Sequence, residues 1–324
     1  MFEDKKISAP NMLNTAVLFL VFNRLDTTKQ VFEAIREVKP PRIYIAADGA
    51  RKNKVGEAEV VQSVRDYVCQ SVDWDCDVKT LFREENLGCK YAVSSAITWF
   101  FENEKQGIIL EDDVVPNQDF FYFMENCLEK YKNDNRIMMV TGTNYLGDSS
   151  LEAPYSFSEH MTIWGWGTWR RAWSLYDVDM AKWNTSHTKD FFKRKYFSSY
   201  IWKHFRNTFD MLETSYMDTW DIQWVFCCLY HHGLCILPKV NMISNVGVEG
   251  THGVGATDSH FIKKESLKSS AYIDFYPDVH VNYKYDISLH ELKSRKSVRR
   301  ESVVRLLRFL KVYNKVRALK RLFK

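Results

Sequence analysis

Val17-Leu18-Phe19-Leu20-Val21-Phe22 is an unbroken apolar run that stops at Asn23-Arg24. No polar residue alternates with the apolar ones, so the run predicts a strand covered on both faces, as in a parallel sheet held between helices. Asp26-Thr27-Thr28 then opens a helical pattern that continues to Val38 and is stopped by Pro40-Pro41. Arg42 to Ala47 is a second buried strand, ending at Asp48-Gly49. The same alternation continues with a helix from Glu57 to Val68, a strand from Val78 to Arg83 and a helix from Leu87 to Phe101. A fourth strand, Gly107 to Leu110, runs directly into Glu111-Asp112-Asp113. A helix from Gln118 to Tyr131 and a strand from Arg136 to Thr141 complete the series. Strands alternating with helices across short loops predict an α/β fold with a mostly parallel central sheet and flanking helices. Ligands of such sheets bind at the carboxyl ends of the strands. Asn23-Arg24, Asp48-Gly49 and Glu111-Asp112-Asp113 are all expected there.

After Thr143 the rhythm changes. Thr162 to Trp173 is rich in Trp and Gly, Lys189 to Leu212 and Thr219 to His231 read as helices, and Gly233 to Pro238 reads as a short strand. Asn245 to Thr257 is a glycine-rich loop, and Lys263 to Leu292 has no clear pattern. With no repeat and no long linker, residues 1–292 read as one domain, with a nucleotide-binding half at about 12–147 and an acceptor-side half at about 148–292.

The chain has 324 residues with 45% hydrophobic and 15% aromatic content, enough for one large elaborated domain. Its seven cysteines are scattered without a Cys-x-x-Cys pair, which disfavours a disulfide framework or zinc ribbon and favours a reducing compartment. The start lacks the pattern of a secretory signal, and the early apolar run is too short to span a bilayer, so a cytoplasmic protein is expected. Residues 295–324 hold twelve Lys and Arg and one Glu, so the overall charge of +4 divides into a tail of +11 and a body of −7. An acidic body argues against nucleic acid as partner. In the tail, Val303, Leu306, Leu310, Tyr313, Val316, Leu319 and Phe323 recur every three to four residues among basic ones. Residues 293–324 therefore predict a basic amphipathic helix suited to an anionic membrane face, or docked on the body or another subunit.

Three adjacent carboxylates repel one another unless a charge offsets them. A hard divalent cation does so while leaving positions for substrate phosphates; a solvated acidic turn before Pro116 is the alternative. Asp221 stands between Trp220 and Trp224 at a helix start, with Asp218 nearby. Either is a candidate general base, since a carboxylate can take a proton from a hydroxyl.

The stretch IILEDDVVPNQDFFYF (108–123) resembles the metal-binding acidic motif of GT-A glycosyltransferases, and is most similar to the N-acetylglucosaminyltransferase I type and its bacterial relatives. The likeness extends to LVFNR at the first strand, AADGARK at the second and FREENLGCKYAVSSAITWFF before the acidic motif. WGWGTWRRAW resembles a stretch of bacterial family-2-like sugar transferases, and the whole likeness covers residues 16–255. It implies a GT-A (nucleotide-diphospho-sugar transferase) fold, a UDP-sugar donor and Mn²⁺ or Mg²⁺ held by Asp113. It further implies that Asp112 contacts the ribose or assists the metal, that Glu111 holds the donor sugar or the local geometry, that Arg24 faces the base or diphosphate, and that Asp48 reads the uracil edge. Trp220-Asp221-Ile222-Gln223-Trp224 resembles in part the region that carries the catalytic Asp of the N-acetylglucosaminyltransferase I type, which implies Asp221 as base and inversion. His252, flanked by Gly250 and Gly253, matches a late His that returns to the metal or diphosphate in many members. Trp164, Trp166 and Trp169 are candidate walls of the sugar pocket, and Arg170 and Arg171 candidate partners of the diphosphate or an anionic acceptor.

The expected activity is metal-dependent transfer of a hexosyl or N-acetylhexosaminyl group to a glycan or lipid-linked acceptor. The expected setting is bacterial surface polysaccharide synthesis at the inner face of the cell membrane. A sugar-1-phosphate nucleotidyltransferase is the first alternative, but Val21 to Asp26 lacks the glycine of its phosphate loop. A non-catalytic sugar- or membrane-binding protein on the same scaffold is the second.

Overall fold

A computed structural model describes residues 13–147, 150–195, 199–213, 217–247, 264–266 and 274–292. The apolar run forms β1 (Val17–Val21), followed by α1 (Leu25–Val38), β2 (Arg42–Ala47), α2 (Glu57–Gln70), β3 (Asp77–Phe82), α3 (Gly88–Asn103) and β4 (Gln106–Glu111). Then come β5 (Val114–Pro116), α4 (Gln118–Lys130), β6 (Ile137–Thr141), β7 (Tyr155–Ser158), β8 (Trp166–Trp169) and α5 (Arg170–Trp173). The second half continues with α6 (Ser186–Lys195), α7 (Ser199–Glu213), α8 (Asp221–Tyr230), β9 (Leu234–Pro238) and β10 (Ile243–Asn245). Residues 283–292 are helical as well. Among the described residues no helix is long and apolar enough to cross a membrane. The expected tail helix at 293–324 lies outside the described residues.

Eight strands form one sheet in the order β3-β2-β1-β4-β8-β6-β9-β7. The pairs β3/β2, β2/β1, β1/β4 and β6/β9 are parallel, whereas β8 runs antiparallel to both its neighbours and β7 antiparallel to β9. The sheet is therefore mostly parallel, as expected. Strand β1 divides its side chains between two cores. Val17, Phe19 and Val21 face a cluster with Phe32 of α1, Val64 of α2 and Phe121 of α4. Ala16, Leu18 and Leu20 face a second cluster with Ile97 and Phe100 of α3 and Trp224 of α8. Burial on both faces explains the lack of alternation in the run.

Several expectations need adjustment. The Trp/Gly-rich stretch contributes strand β8, inserted between β4 and β6, and its two tryptophans point to opposite faces as the strand period requires. Over the helix expected at residues 189–212 the described residues form α6 and α7, whose aromatic faces meet α8 around Trp183. The segment after residue 263 finds a partial assignment: Tyr285 and Leu289 of the terminal helix pack on Leu151 and Leu237, and the Tyr285 hydroxyl donates to Asn144 at 3.2 Å.

Gly107 sets the fit of β4 against α3. A Cβ there would lie 2.2 Å from Phe100 Cζ and 3.1 Å from the Ala16 carbonyl oxygen, and the Phe100 ring is itself fully buried. Gly107→Ala should lower stability by about 1–3 kcal/mol, the range for overpacking a filled core. Urea unfolding would read this as a lower midpoint at unchanged m.

Candidate active site

Strand order reverses beside β1, which has β2 on one side and β4 on the other. Sheets of this kind bind ligands at such a switch point, outside the carboxyl ends of the strands. The register places those ends together: Val21 pairs with Ala47, and Leu20 pairs with Glu111. Arg24 follows β1 as the residue preceding α1, and Glu111, Asp112 and Asp113 end β4.

The Arg24 guanidinium binds two of the three carboxylates. Its Nη2 makes a close ion pair with Asp112, its Nε donates to Asp112 Oδ2 at 3.4 Å, and its Nη1 donates to Asp113 Oδ2 at 2.9 Å. Asp112 is 4% exposed, and burial pushes its carboxyl up to about 6 even though Arg24 pulls it down. Desolvation raises the pKa of Glu111 further, and the charges of Asp113, Asp221 and Asp112 add to the shift. Glu111 has no ion pair among the described residues. Among the described residues the site thus carries more carboxylates than Arg24 pairs.

Two elements distant in sequence close on this cluster. After Asp113 the chain forms β5, which pairs antiparallel with β10, matching Val114 with Asn245. That ribbon brings the following turn onto the acidic motif, and Val246 N–H donates to the Asp113 carbonyl at 2.8 Å. A Cβ on Gly247 would lie 2.0 Å from Asp113 Oδ2 and 3.0 Å from Arg24 Nη1, so any larger residue would displace the Asp113 carboxylate from this position. The second element is the start of α8. Asp221 is half-buried there, accepts a hydrogen bond from Thr219 Oγ1, and acts electrostatically on Glu111.

The N-terminus of α3 meets carboxylates from two distant stretches of the chain. Asp48 accepts hydrogen bonds from the backbone N–H groups of Leu87 at 2.9 Å and Gly88 at 3.1 Å, and from Asn86 Nδ2 at 2.9 Å. Asp218 accepts from Cys89 N at 2.9 Å and Lys90 N at 2.8 Å. Two carboxylates therefore satisfy the N–H groups that a helix start leaves without partners. Cys89 lies among Glu111, Asp218, Asp221 and Asp48, and its thiol pKa is raised, by burial first and then by these charges.

The structure brings together Arg24, Glu111, Asp112, Asp113 and Asp221 from the sequence reading. It gives other positions different work. Asp48 was expected at a uracil edge, but both its oxygens are engaged by the turn before α3. Asp218, expected as an alternative base, has each oxygen on a helix N–H. Trp166, expected to touch the donor, is 1% exposed and stacks on Trp220 within the core, its ring centroid 5.7 Å away. Arg170 is a correction of position. Trp169 pairs with Gln106 at the opposite end of β4 from Glu111, and Arg170 Nε donates to the Glu104 carbonyl at 3.1 Å on that far edge. Arg171 is likewise spent on carbonyls, those of Tyr131, Lys132 and Ile137. His252 lies outside the described residues. Sequence reasoning missed Gly247; its signal was the glycine-rich loop itself, without the contact that needs it.

Among the described residues no group of three or more His, Cys, Asp or Glu side chains is arranged to hold a metal ion. The donor set nevertheless fits a hard cation of the Mn²⁺ or Mg²⁺ kind, which takes one or two carboxylates and completes its shell with water and phosphate. The Arg24 guanidinium is the positive charge seated between Asp112 and Asp113.

The electrostatics predict a pH signature. Asp112 has a folded-state pKa of about 6 against 3.8 unfolded, so the native state holds an extra proton between those values and loses stability as pH rises through them. A cation bound at the cluster removes that penalty. Mn²⁺ should therefore raise the melting temperature more at pH 8 than at pH 5, as followed by differential scanning fluorimetry. Equal shifts at both pH values would put the cation elsewhere.

No protein-family model matches the sequence, and no curated protein does. Among solved structures the chain is similar to the mannosyltransferase PcManGT from Pyrobaculum calidifontis in complex with GDP-Man and Mn²⁺, at 14% identity and a TM-score of 0.35 over 57% of this chain and 55% of that one. It is similar to GalNAc-T7 with UDP, GalNAc and Mn²⁺, at 11% identity and a TM-score of 0.41 over 73% of this chain and 44% of that one. A UDP-glucose pyrophosphorylase complexed with UDP-glucose follows at 8% identity and a TM-score of 0.30, over 50% of this chain and 79% of that one. The chain spans about half the length of the first of these, 55%, and the likenesses assign no role to any of its residues.

Proposed function

We propose that the chain is a metal-dependent, inverting glycosyltransferase of the GT-A type that moves a sugar from a UDP-sugar to a hydroxyl of a glycan or lipid-linked acceptor. The observation that carries this reading is the meeting, at the switch point of a mostly parallel sheet, of three adjacent carboxylates with Arg24 and a fourth, Asp221, on a separate element. Asp113 would hold Mn²⁺ or Mg²⁺, with Glu111 and Asp112 tuning the local charge. The cation, when bound, offsets negative charge on the departing diphosphate. Arg24 would meet the same phosphates. Asp221 takes the proton of the acceptor hydroxyl as that oxygen attacks the anomeric carbon from the face opposite the leaving group. Asp48 and Asp218 act as positioning residues, because each fixes the N-terminal turn of α3 against one half of the site. Asp48 is not needed at the base in this arrangement, so selection of uracil falls to other groups.

Calorimetric titration with UDP and with GDP, each with and without Mn²⁺, tests the donor half. UDP binding that requires Mn²⁺ is the expected result; no metal-dependent binding of either nucleotide would make the acidic cluster structural and end the reading. Product analysis with UDP-sugars separates transfer from nucleotidyl exchange, which would release pyrophosphate or consume it. The charge of the basic tail supports a place at an anionic inner membrane face; a role in bacterial surface polysaccharide synthesis rests on the family resemblance alone. Removal of residues 296–324 should abolish sedimentation with anionic vesicles, and unchanged sedimentation would refute the membrane role alone.

A further inference from the structure

We propose that Arg24 is an internal competitor of the divalent cation: it closes the acidic cluster in the metal-free protein, then cedes Asp113 while keeping Asp112 when the cation enters. This inference rests on the reading that a cation binds at Asp113. Its ground is the asymmetry of the arginine's contacts. Arg24 places two nitrogens, Nε and Nη2, on Asp112 and one, Nη1, on Asp113 at 2.9 Å. Accessibility follows the same order, with side chains 5% exposed for Asp112, 17% for Asp113 and 28% for Arg24.

The deeper carboxylate is therefore forked by a guanidinium, the geometry in which that group binds most firmly. The outer one is held by a single arm at the solvent side. Breaking the outer contact leaves Arg24 still paired through Asp112. It also leaves Asp112 satisfied, so the exchange buries no unpaired charge. The backbone of Arg24 gives the side chain a fixed pivot: its carbonyl accepts from Thr28 N at 3.0 Å and from Thr28 Oγ1 at 2.6 Å. On the other side Gly247 approaches both Asp113 Oδ2 and Arg24 Nη1, which limits where the freed arm can go. In the proposed function the freed arm would meet the phosphates of a bound nucleotide. One residue then serves two states, as counter-ion without metal and as phosphate partner with it.

The test is Mn²⁺ binding without nucleotide, read from the free-ion electron paramagnetic resonance signal, in wild type, Arg24→Lys and Arg24→Gln. Competition predicts that Arg24→Gln binds Mn²⁺ at least about tenfold more tightly than wild type, since a unit charge at contact distance has left. Arg24→Lys, which keeps the charge but not the fork, should fall between them. A Lys variant equal to wild type beside a tighter Gln variant would mean simple charge repulsion and overturn the exchange. Equal affinity in all three, or weaker binding in Arg24→Gln, would overturn it too and leave the metal site standing. No Mn²⁺ binding by any protein, wild type included, would defeat the metal reading itself. Should the Gln variant not fold, the wild type decides. The Arg24 side-chain N–H resonances, assigned by their loss in Arg24→Lys, should shift on addition of diamagnetic Mg²⁺, and unchanged resonances would refute the exchange.

Discussion

Asp113→Ala is expected to remove Mn²⁺-dependent UDP binding, weakening it on the order of 100-fold or more, which corresponds to about 3 kcal/mol. The fold should survive. Asp113 accepts one side-chain hydrogen bond from Arg24, and Asp112 keeps the other arms of the guanidinium. Truncation also relieves charge on Glu111, whose pKa is raised by Asp113 ahead of the other two carboxylates. The melting temperature of the metal-free variant should accordingly equal or exceed that of wild type, while its response to Mn²⁺ disappears. Calorimetry and thermal melting measured on the same preparation separate this from unfolding. A variant that binds UDP with Mn²⁺ as wild type does would remove Asp113 from the metal.

The second large effect is expected at Asp221. Replacement by Asn keeps the size of the side chain and its contact with Thr219, but removes the ability to accept a proton. Turnover should fall about 10²- to 10⁴-fold, the range associated with a positioned general base, while metal-dependent UDP binding stays within about threefold, or less than 1 kcal/mol. Loss of the charge at the first turn of α8 should cost about 0.3–1 kcal/mol of stability. Asp218→Asn gives the contrast. Its carboxylate caps α3 through Cys89 and Lys90, so the expected result is a lower melting temperature with turnover only modestly reduced. If Asp218→Asn instead lost turnover as Asp221→Asn is expected to, with its stability intact, the two roles would be exchanged.

Much of the frame was legible from residue pattern. The apolar runs at 17–22 and 42–47 could only be strands covered on both faces, and the acidic residues after 107–110 could only lie at the carboxyl edge of a sheet built that way. The tryptophans misled. In WGWGTWRRAW the glycines mark a strand packed closely between two others: a Cβ on Gly167 would sit 3.1 Å from the Gly107 carbonyl oxygen. Trp166 and Trp169, which looked like sugar platforms, are core, whereas Trp164 is only partly buried against it, and the arginines that follow are carried by β8 to the far edge.

The sequence by itself determined the strand–helix alternation, the burial of β1 and the placing of three carboxylates at a strand end, because these depend on neighbours a few residues apart. Only the tertiary structure decided which carboxylates remain for chemistry. Asp48 and Asp218 look as suitable as Asp221 in the sequence, yet both are used on the start of α3, one of them across 129 residues. A carboxylate's chemistry is set by what already occupies its oxygens, and for these residues the occupants come from segments that only the folded chain brings together.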